Sequence, residues 1–289
     1  MSLTPFRVGL AQMAPRLGDV RANLDTHLQY IERAHAEQID LLVFPELGLT
    51  GYYVKDLTPE VALRPTADDS RFKQLLNASR RLDLVVGFVE QDARYRYFIS
   101  AAYLAQGELV HLHRKVYLPT YRMFDDARFF GAGDAFRAFD TRFGRMGLFI
   151  CEDAWHLSAA YLLWQAGADF LIDIAASPGY GIQSSAEGGL ASAQTVSSFL
   201  RTYAEMLTTF VVYVNRVGVE DGVSFGGGSL CHAPDATELA CAPLFDEVLI
   251  TAELNPDDLR RARLRFPVLR DERRDLVWRE LQRMEGRKP

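Results

Sequence analysis

Residues 146–150 read Met-Gly-Leu-Phe-Ile, an apolar run that ends at Cys151. Similar apolar runs occupy residues 41–44 and 210–214. A strand with one face in water alternates apolar and polar residues, whereas a strand covered on both faces is apolar throughout. The three runs therefore predict sheets that are covered on both faces, which is typical of the layered α/β class.

The segments around these runs predict alternating helices and strands. After Asp19, a residue type that often caps a helix, Leu24, Leu28 and Ile31 have the spacing of one helix face. Further helices are predicted over residues 70–81, 158–166 and 191–208. The predicted strands include residues 7–13, 40–44, 84–89, 97–105, 109–115, 136–139, 146–150, 170–175, 210–214 and 247–254. The count, about a dozen, is large for one open sheet, so we expect two packed sheets with helices outside.

The composition is that of a globular protein with a sizeable core. The chain has 289 residues, of which 48% are hydrophobic and 24% charged, and this excludes disordered and fibrous classes. No Gly/Ser-rich or Pro-rich linker interrupts the pattern, so residues 1–289 are predicted to form a single domain. Residues 256–289 form its charged helical C-terminal tail. The tail carries an apolar stripe that is expected to pack on this subunit or on a partner, formed by Leu269, Leu276, Trp278 and Leu281.

The charge distribution argues against nucleic-acid and membrane partners. The formal net charge is -6, and the Lys and Arg residues are scattered rather than gathered into a stripe. No window reaches the roughly 18 apolar residues that a membrane span needs, and residues 1–15 do not resemble a secretory leader. We therefore expect a soluble, cytoplasmic protein.

Cysteine and histidine spacing predicts neither a disulfide framework nor a metal site. Cys151, Cys231 and Cys241 are too few and too irregularly spaced for either, which fits a reducing compartment. Cys231 and Cys241 are interpreted as small core residues. His111 and His113 alternate on one strand, and two histidines without a third ligand are interpreted as a surface or core pair.

Three polar residues stand at the ends of predicted strands, where sites collect in α/β folds. Cys151 follows residues 147–150, Glu46 follows residues 41–44, and Lys115 ends the strand from residue 109. Each has an ordinary alternative: a core thiol, a water-exposed carboxylate at a helix start, and an exposed edge-strand lysine. Taken together, however, they are the parts needed to attack an amide carbonyl. The carboxylate takes the thiol proton and the lysine stabilises the oxyanion.

The same residues resemble a known family. Phe44-Pro45-Glu46, His113-Arg114-Lys115 and Cys151-Glu152-Asp153 are similar, in order and approximate spacing, to the three signature blocks of the carbon–nitrogen hydrolase (nitrilase) superfamily. The resemblance covers about residues 5–255. It implies a four-layer α-β-β-α sandwich and a homodimer or higher homo-oligomer with contacts from the C-terminal segment.

Within the superfamily, the sequence is most similar to the glutamine-amidase domain of glutamine-dependent NAD synthetases. The pointers are Gly51-Tyr52, the run from Leu118 to Arg128, and Cys151-Glu152-Asp153-Ala154-Trp155. The ATP-dependent synthetase domain has no counterpart here, so this chain is not expected to make NAD by itself. A separate synthetase that receives ammonia is a possible partner.

The resemblance also assigns residues around the catalytic trio. Tyr52 and Glu152 match residues that hold the glutamine substrate, together with a serine near Ser177. Apart from the resemblance, Tyr121, Phe124 and Trp155 are expected to line the pocket or, as aromatic residues ordinarily do, to pack in the core. A second catalytic-site glutamate of the superfamily falls at or near Asp126, where the side chain is one methylene shorter. No metal or organic cofactor is implied.

The leading hypothesis is a cysteine-dependent hydrolase of linear amides, with glutamine or a similar ω-amide as substrate and ammonia as product. Hydrolysis of an N-carbamoyl amide, which also releases carbon dioxide, is the alternative within the same class. An accessory or non-catalytic amide-binding subunit of a separate synthetase is the alternative of another class. A nitrile-cleaving enzyme is less favoured, because the Cys151-Glu152 pair resembles the amidase branches.

Overall fold

The first of two six-stranded sheets contains strands from both ends of the chain. The structure is a computed structural model that describes residues 4–182 and 189–286. In this sheet the order is β14-β1-β2-β3-β4-β5, with β1 parallel to β2, β2 parallel to β3 and the other neighbours antiparallel. The strands are β1 (Phe6–Gln12), β2 (Leu41–Val43), β3 (Asp83–Gln91), β4 (Tyr97–Ala105), β5 (Glu108–Arg114) and β14 (Val248–Leu254).

The second six-stranded sheet has three parallel strands at its centre. Its order is β13-β12-β9-β8-β7-β6, and β7, β8 and β9 run parallel. The strands are β6 (Phe139–Thr141), β7 (Gly144–Ile150), β8 (Phe170–Ala175), β9 (Phe210–Asn215), β12 (Leu230–His232) and β13 (Glu238–Cys241). A separate antiparallel pair consists of β10 (Val217–Glu220) and β11 (Val223–Gly226).

Helices connect the strands and follow the last of them. They are α1 (Val20–Ala36), α2 (Thr58–Val61), α3 (Ser70–Ala78), α4 (Asp126–Phe129), α5 (Leu157–Gln165), α6 (Ala191–Leu207), α7 (Asp257–Arg265), α8 (Val268–Asp271) and α9 (Arg274–Glu285). Two 3₁₀ helices span Lys55–Leu57 and Cys151–Trp155. The predicted cap of α1 is confirmed, because the Asp19 carboxylate accepts a hydrogen bond from the Ala22 N–H. Among the described residues, no helix combines the length and apolar character needed to cross a membrane.

The two sheets pack face to face, β1 against β9 and β4 against β7. Helices α1 and α3 lie on the first sheet, and α5 and α6 lie on the second. Buried residues of both sheets and of these helices form one continuous apolar core. The α/β class and the α-β-β-α layering predicted from the sequence are therefore confirmed.

Two local predictions are wrong. Residues 136–138 are not a strand, and β6 begins only at Phe139; Phe136 instead stacks on the rings of His113 and Tyr117. The Phe136 side chain thus covers other aromatic rings without joining the sheet. Cys241 is exposed because it ends the edge strand β13, whereas Cys231 is buried as predicted.

The C-terminal segment leaves its apolar stripe uncovered. Helix α9 has no buried residue in this chain, and its apolar side chains are exposed, among them Leu276, Trp278 and Leu281. Leu269, the fourth member of the stripe, is half-buried on α8, which contacts α6. Within the described residues, packing on the same subunit therefore accounts for Leu269 but not for the three α9 side chains.

Candidate active site

Cys151 lies at a sharp turn where β7 leaves the second sheet. Its φ is 53°, in the left-handed region that non-glycine residues rarely adopt, and the 3₁₀ helix begins at this residue. Its N–H donates to Oδ1 of Asp173 at 2.9 Å. The side chain is only 7% exposed, yet it forms part of the wall of an open cavity of about 540 Å³. The thiol is therefore within reach of a small ligand.

Glu46 follows β2, is completely buried, and is near enough to the Cys151 thiol for its charge to affect the pKa of that thiol. Its Oε1 accepts a hydrogen bond from Nζ of Lys115 at 2.7 Å, and its Oε2 accepts one from the Ala176 N–H at 2.8 Å. The loop that carries Glu46 passes so close to β3 that a Cβ on Gly87 would lie 2.4 Å from the Pro45 carbonyl oxygen. The alternative in which Glu46 is exposed to water is wrong. The close contact between its loop and β3 holds the Glu46 side chain between the two sheets.

Lys115 is equally buried and lies between two carboxylates. Its Nζ donates to Oε1 of Glu46 and, at 2.8 Å, to Oδ2 of Asp126. The edge-strand alternative is wrong, because Lys115 is 1% exposed and points inward just after β5 ends. Asp126 reaches the lysine although it is one methylene shorter than the family's glutamate. The hydroxyl of Tyr52 donates to the other oxygen of Asp126 at 2.6 Å.

The pKa directions describe a neutral thiol beside a base. Burial raises the pKa of the Cys151 thiol well above its ordinary value; the nearby Glu46 carboxylate adds to this rise and Lys115 opposes it. Burial also raises the pKa of Glu46, with Asp126 contributing and Lys115 opposing. Because the resting thiol keeps its proton, attack on a carbonyl requires a group that removes it. Among the carboxylates near the thiol, Glu46 has the largest electrostatic effect on its pKa.

The lysine stays charged in this setting. Burial by itself would lower the pKa of Lys115, but the carboxylates of Asp126 and Glu46 outweigh it and raise that pKa well above the ordinary value. An ammonium group has three N–H donors, and two of them point to these carboxylates. The third N–H of the ammonium group can donate a hydrogen bond to an oxyanion.

The remaining predicted residues divide between the cavity and the interior. Tyr121, Glu152 and Ser177 line the cavity with Cys151, as do Phe124 and Trp155. The Tyr121 hydroxyl donates to Oε2 of Glu152 at 2.7 Å. The Ser177 hydroxyl lies 3.8 Å from the Cys151 sulfur. Tyr52 is not on this wall; its hydroxyl is held by Asp126, and its ring borders a neighbouring cavity of about 310 Å³.

Among the described residues on the cavity wall, one side chain is an anion and one is a cation. Glu152 is the anion, and the guanidinium of Arg122 is the cation, stacked 5.2 Å from the centre of the Tyr180 ring. Most of the other side chains on the wall are apolar or aromatic. This combination suits a small amide that carries an amino group, a carboxylate or both.

Two buried aspartates were not assigned a role from the sequence. Asp173 stands in the middle of the apolar strand β8 and accepts the Cys151 N–H, while Asp153 hydrogen-bonds several groups around the cysteine turn. A lone carboxylate inside the apolar run Phe170–Ala175 was the available signal for Asp173. Asp153 was visible only as part of the cysteine motif.

We expect Asp173→Asn to stabilise the protein. Burial raises the pKa of Asp173 well above its ordinary value of 3.8. The folded protein is therefore stabilised when this carboxyl group is protonated. That contribution to the free energy of unfolding is complete below pH 3.8 and is lost as the pH rises through the raised pKa. Asparagine keeps an oxygen for the Cys151 N–H without the charge. The free energy of unfolding should rise by about 1–2 kcal/mol at pH 7. Chemical denaturation at pH 7 and pH 3.5 measures this, and an equal gain at both pH values would contradict the explanation.

No metal centre is evident in the described part of the chain. Within residues 4–182 and 189–286, no group of three or more His, Cys, Asp or Glu side chains has an arrangement that could hold a metal ion. His113 contacts Asp153, and the ring of His111 stacks on that of Phe139. The pair is therefore not arranged as shared ligands.

Comparison with known proteins finds a matching family model and several similar proteins. The family model described as carbon-nitrogen hydrolase matches residues 7–264. A glutamine-dependent NAD(+) synthetase of Acinetobacter baylyi is 29% identical over 257 residues, which are 88% of this chain and 45% of that protein. An (R)-stereoselective amidase of a Pseudomonas species is 30% identical over 286 residues, which are 98% of this chain and 97% of that protein.

A solved structure extends the similarity to three dimensions. The glutamine-dependent NAD+ synthetase from Acinetobacter baumannii, in complex with adenosine diphosphate, has a TM-score of 0.77 at 29% identity and covers 89% of this chain. The match covers 47% of the synthetase. This chain therefore spans less than half the length of the synthetases that it resembles.

Proposed function

The chain belongs to the carbon–nitrogen hydrolase family and is an enzyme of amide hydrolysis, and on that premise we propose that its substrate is glutamine or a similar ω-amide. One observation carries the proposal: Cys151 lines a cavity, and a buried Glu46–Lys115 ion pair is near enough for both charges to shift the pKa of its thiol. The synthetase relatives support glutamine in particular.

In the proposed acylation step, Glu46 takes the thiol proton as the Cys151 sulfur attacks the amide carbonyl carbon. The oxyanion that forms is stabilised by the third donor of Lys115 and by the N–H of Glu152, which lies in the first turn of the 3₁₀ helix. Glu46 then returns its proton to the leaving nitrogen. The C–N bond breaks, ammonia departs and a thioester remains on Cys151.

In the deacylation step, Glu46 removes a proton from a water molecule that attacks the thioester carbonyl. The second tetrahedral intermediate collapses, the C–S bond breaks, and the sulfur regains its proton from Glu46. The products are the free acid and the free thiol. Asp126 supports both steps, because its charge and that of Glu46 keep Lys115 protonated.

Glu152 and Arg122 supply the proposed selectivity. Glu152, oriented by the Tyr121 hydroxyl, would bind the substrate's ammonium group, and Arg122 would bind its carboxylate. Ser177 borders the reacting sulfur and is proposed to contact the amide. Tyr52 reaches the site through Asp126, so its proposed contribution is indirect.

A second candidate is a free-standing amidase for a less polar amide. The aromatic and apolar wall around Phe124, Trp155 and Val196 favours it, as does the full-length similarity to the stereoselective amidase.

The exposed apolar stripe of α9 supports a homo-oligomer, which sedimentation velocity measures. A separate synthetase that accepts the ammonia also remains part of the proposal, supported by the synthetase relatives.

Intact-mass spectrometry tests the reaction and its substrate together. The protein is mixed with L-glutamine, an N-carbamoyl amino acid or an apolar amino-acid amide, and ammonia and carbon dioxide are assayed in parallel. We expect ammonia without carbon dioxide and, after rapid acid quench, an adduct on Cys151 with the mass of the acyl group. Cys151→Ala should abolish both signals, and Cys241→Ala, which removes an exposed thiol, should leave them unchanged.

Three outcomes would redirect the proposal. Release of carbon dioxide from the carbamoyl compound would favour the N-carbamoyl alternative. Turnover of the apolar amide alone would favour the second candidate. Binding of an amide with neither an adduct nor any product would support the accessory, non-catalytic alternative.

A further inference from the structure

We infer that Asp153 is a positioning residue whose buried carboxylate holds the segment that carries Lys115 against the turn that carries Cys151. The inference rests on the proposed function, in which these two side chains must act on the same carbonyl group. Asp153 contacts neither the reacting sulfur nor the cavity wall in any hydrogen bond of the described residues. Its effect must therefore pass through its neighbours.

Four hydrogen bonds converge on this carboxylate. Oδ1 accepts from the N–H groups of Val116 at 3.0 Å and Tyr117 at 2.9 Å, the two residues that follow Lys115. Oδ2 accepts from the N–H of Ile150 at 3.1 Å, the residue that precedes Cys151. The ring Nε2 of His113 lies 2.8 Å from the same Oδ2. Asp153 is fully buried, so water does not compete for these bonds.

The position of this carboxylate matters because the two segments belong to different sheets. Lys115 follows β5, an edge strand of the first sheet, and Cys151 follows β7 of the second sheet. The N–H of Lys115 still bonds to the Ile99 carbonyl of β4, so the backbone hydrogen bond of this lysine is made within its own sheet. No strand pairing connects β5 with β7 among the described residues. Asp153 bridges the two sheets at the point where the reacting groups must meet.

Capping of the 3₁₀ helix does not explain this arrangement. A cap would require only the bond to the Ile150 N–H, at the start of Cys151–Trp155. The other three contacts are with residues 113, 116 and 117, all outside that helix. A side chain that serves two segments is suited to fix their relative position, on which the rate of a positioned reaction depends steeply.

Asp153→Asn should weaken the hydrogen bonds that Asp153 makes with one of the two segments. An amide has one acceptor oxygen, so whichever way it is turned, its NH₂ group faces N–H donors on one side. We expect kcat for the best amide substrate to fall by about 10- to 100-fold, with KM changed by less than about threefold. The matched control is Asp83→Asn, which removes another buried carboxylate, bound to Tyr103 at the opposite end of the first sheet. It should leave kcat unchanged.

A second readout requires no amide substrate. Lys115 favours the ionised thiol, so its displacement should slow the alkylation of Cys151 by iodoacetamide at pH 7 by at least about fivefold. A merely stabilising role for Asp153 would lower the unfolding temperature and leave the alkylation rate of the folded protein unchanged. Because alkylation is measured without turnover, failure of this inference can be distinguished from failure of the proposed amide hydrolysis.

A variant pair at His113 covers the case in which Asp153→Asn does not fold. His113→Leu removes one donor to Asp153, and His113→Gln retains a donor at a similar place. We expect about a three- to tenfold slower kcat and a slower alkylation for the leucine variant, both restored in the glutamine variant. Wild-type kcat and alkylation rates in Asp153→Asn, or in both His113 variants, would overturn the inference.

Discussion

Replacing Glu46 with glutamine is expected to lower kcat/KM for amide hydrolysis by about 10²- to 10⁴-fold. Glutamine has nearly the same shape and keeps one oxygen for either Lys115 or the Ala176 N–H, but it cannot take the proton of the Cys151 thiol. The loss should be large because burial raises the pKa of this thiol and leaves little thiolate at neutral pH. Steady-state ammonia release measures the effect.

The pH dependence identifies the cause of this loss. Burial raises the pKa of Glu46 above its ordinary value of 4.5, and a general base must be deprotonated to act. The wild-type kcat/KM should therefore fall as the pH decreases through that raised pKa, and the residual activity of Glu46→Gln should lack this acid limb. The control is Glu90→Gln, which alters a buried carboxylate paired with Arg114. Equal losses in the two variants, or an unchanged acid limb, would argue against Glu46 as the base.

Replacing Lys115 with methionine is expected to reduce both activity and stability. The oxyanion loses its cation, and loss of such a stabilising group lowers kcat by about 10²- to 10³-fold. Glu46 and Asp126 would also remain buried without the positive charge between them. Breaking a buried ion pair on one side costs about 3–5 kcal/mol, so the free energy of unfolding at pH 7 should decrease by about that amount. Urea denaturation and ammonia release measure the two effects.

The stability deficit of Lys115→Met should depend on pH. Burial raises the pKa of Glu46 and Lys115 opposes this rise, so removal of the lysine should raise that pKa further. The deficit is therefore largest when Glu46 is charged, and it shrinks as the pH falls and Glu46 binds a proton. Adding Asp126→Asn should recover part of the stability and none of the activity. Lys55→Met provides the comparison, since this exposed lysine pairs with Asp221 and its loss should cost less than about 1 kcal/mol. A deficit that is independent of pH would contradict the charge explanation.

Glu46, Lys115 and Cys151 were accessible to sequence analysis because each stands at the end of a predicted strand. The ends of β2 and β7 could be read from hydrophobic runs and the end of β5 from a more polar predicted strand. The motifs around Glu46, Lys115 and Cys151 resembled those of one family. Local composition could not reveal their burial. The same residues were compatible with an exposed carboxylate, an edge lysine and a core thiol until packing was known.

The supporting groups were much harder to predict. Asp173 contacts the cysteine turn from β8, and Asp153 reaches from that turn to the segment after Lys115. Tyr52 donates to Asp126 across 74 positions of the chain. Such contacts depend on how two sheets and their loops pack, and sequence periodicity reports only which face of one element is apolar. The strand predicted at residues 136–139 failed for a related reason, because Phe136 is covered by rings from a different part of the chain.

By itself, the amino-acid sequence determined the layered α/β class, most strand and helix positions, and the identities of a thiol, a carboxylate and an ammonium group at strand ends. Only the tertiary structure decided that these groups meet, that the lysine lies between two carboxylates, and that the thiol keeps its proton beside a base. The physical reason is that hydrophobic pattern is a local property of the chain. Burial and charge, in contrast, depend on distances in space, and the atoms that set them here come from residues as far apart as Glu46 and Ala176.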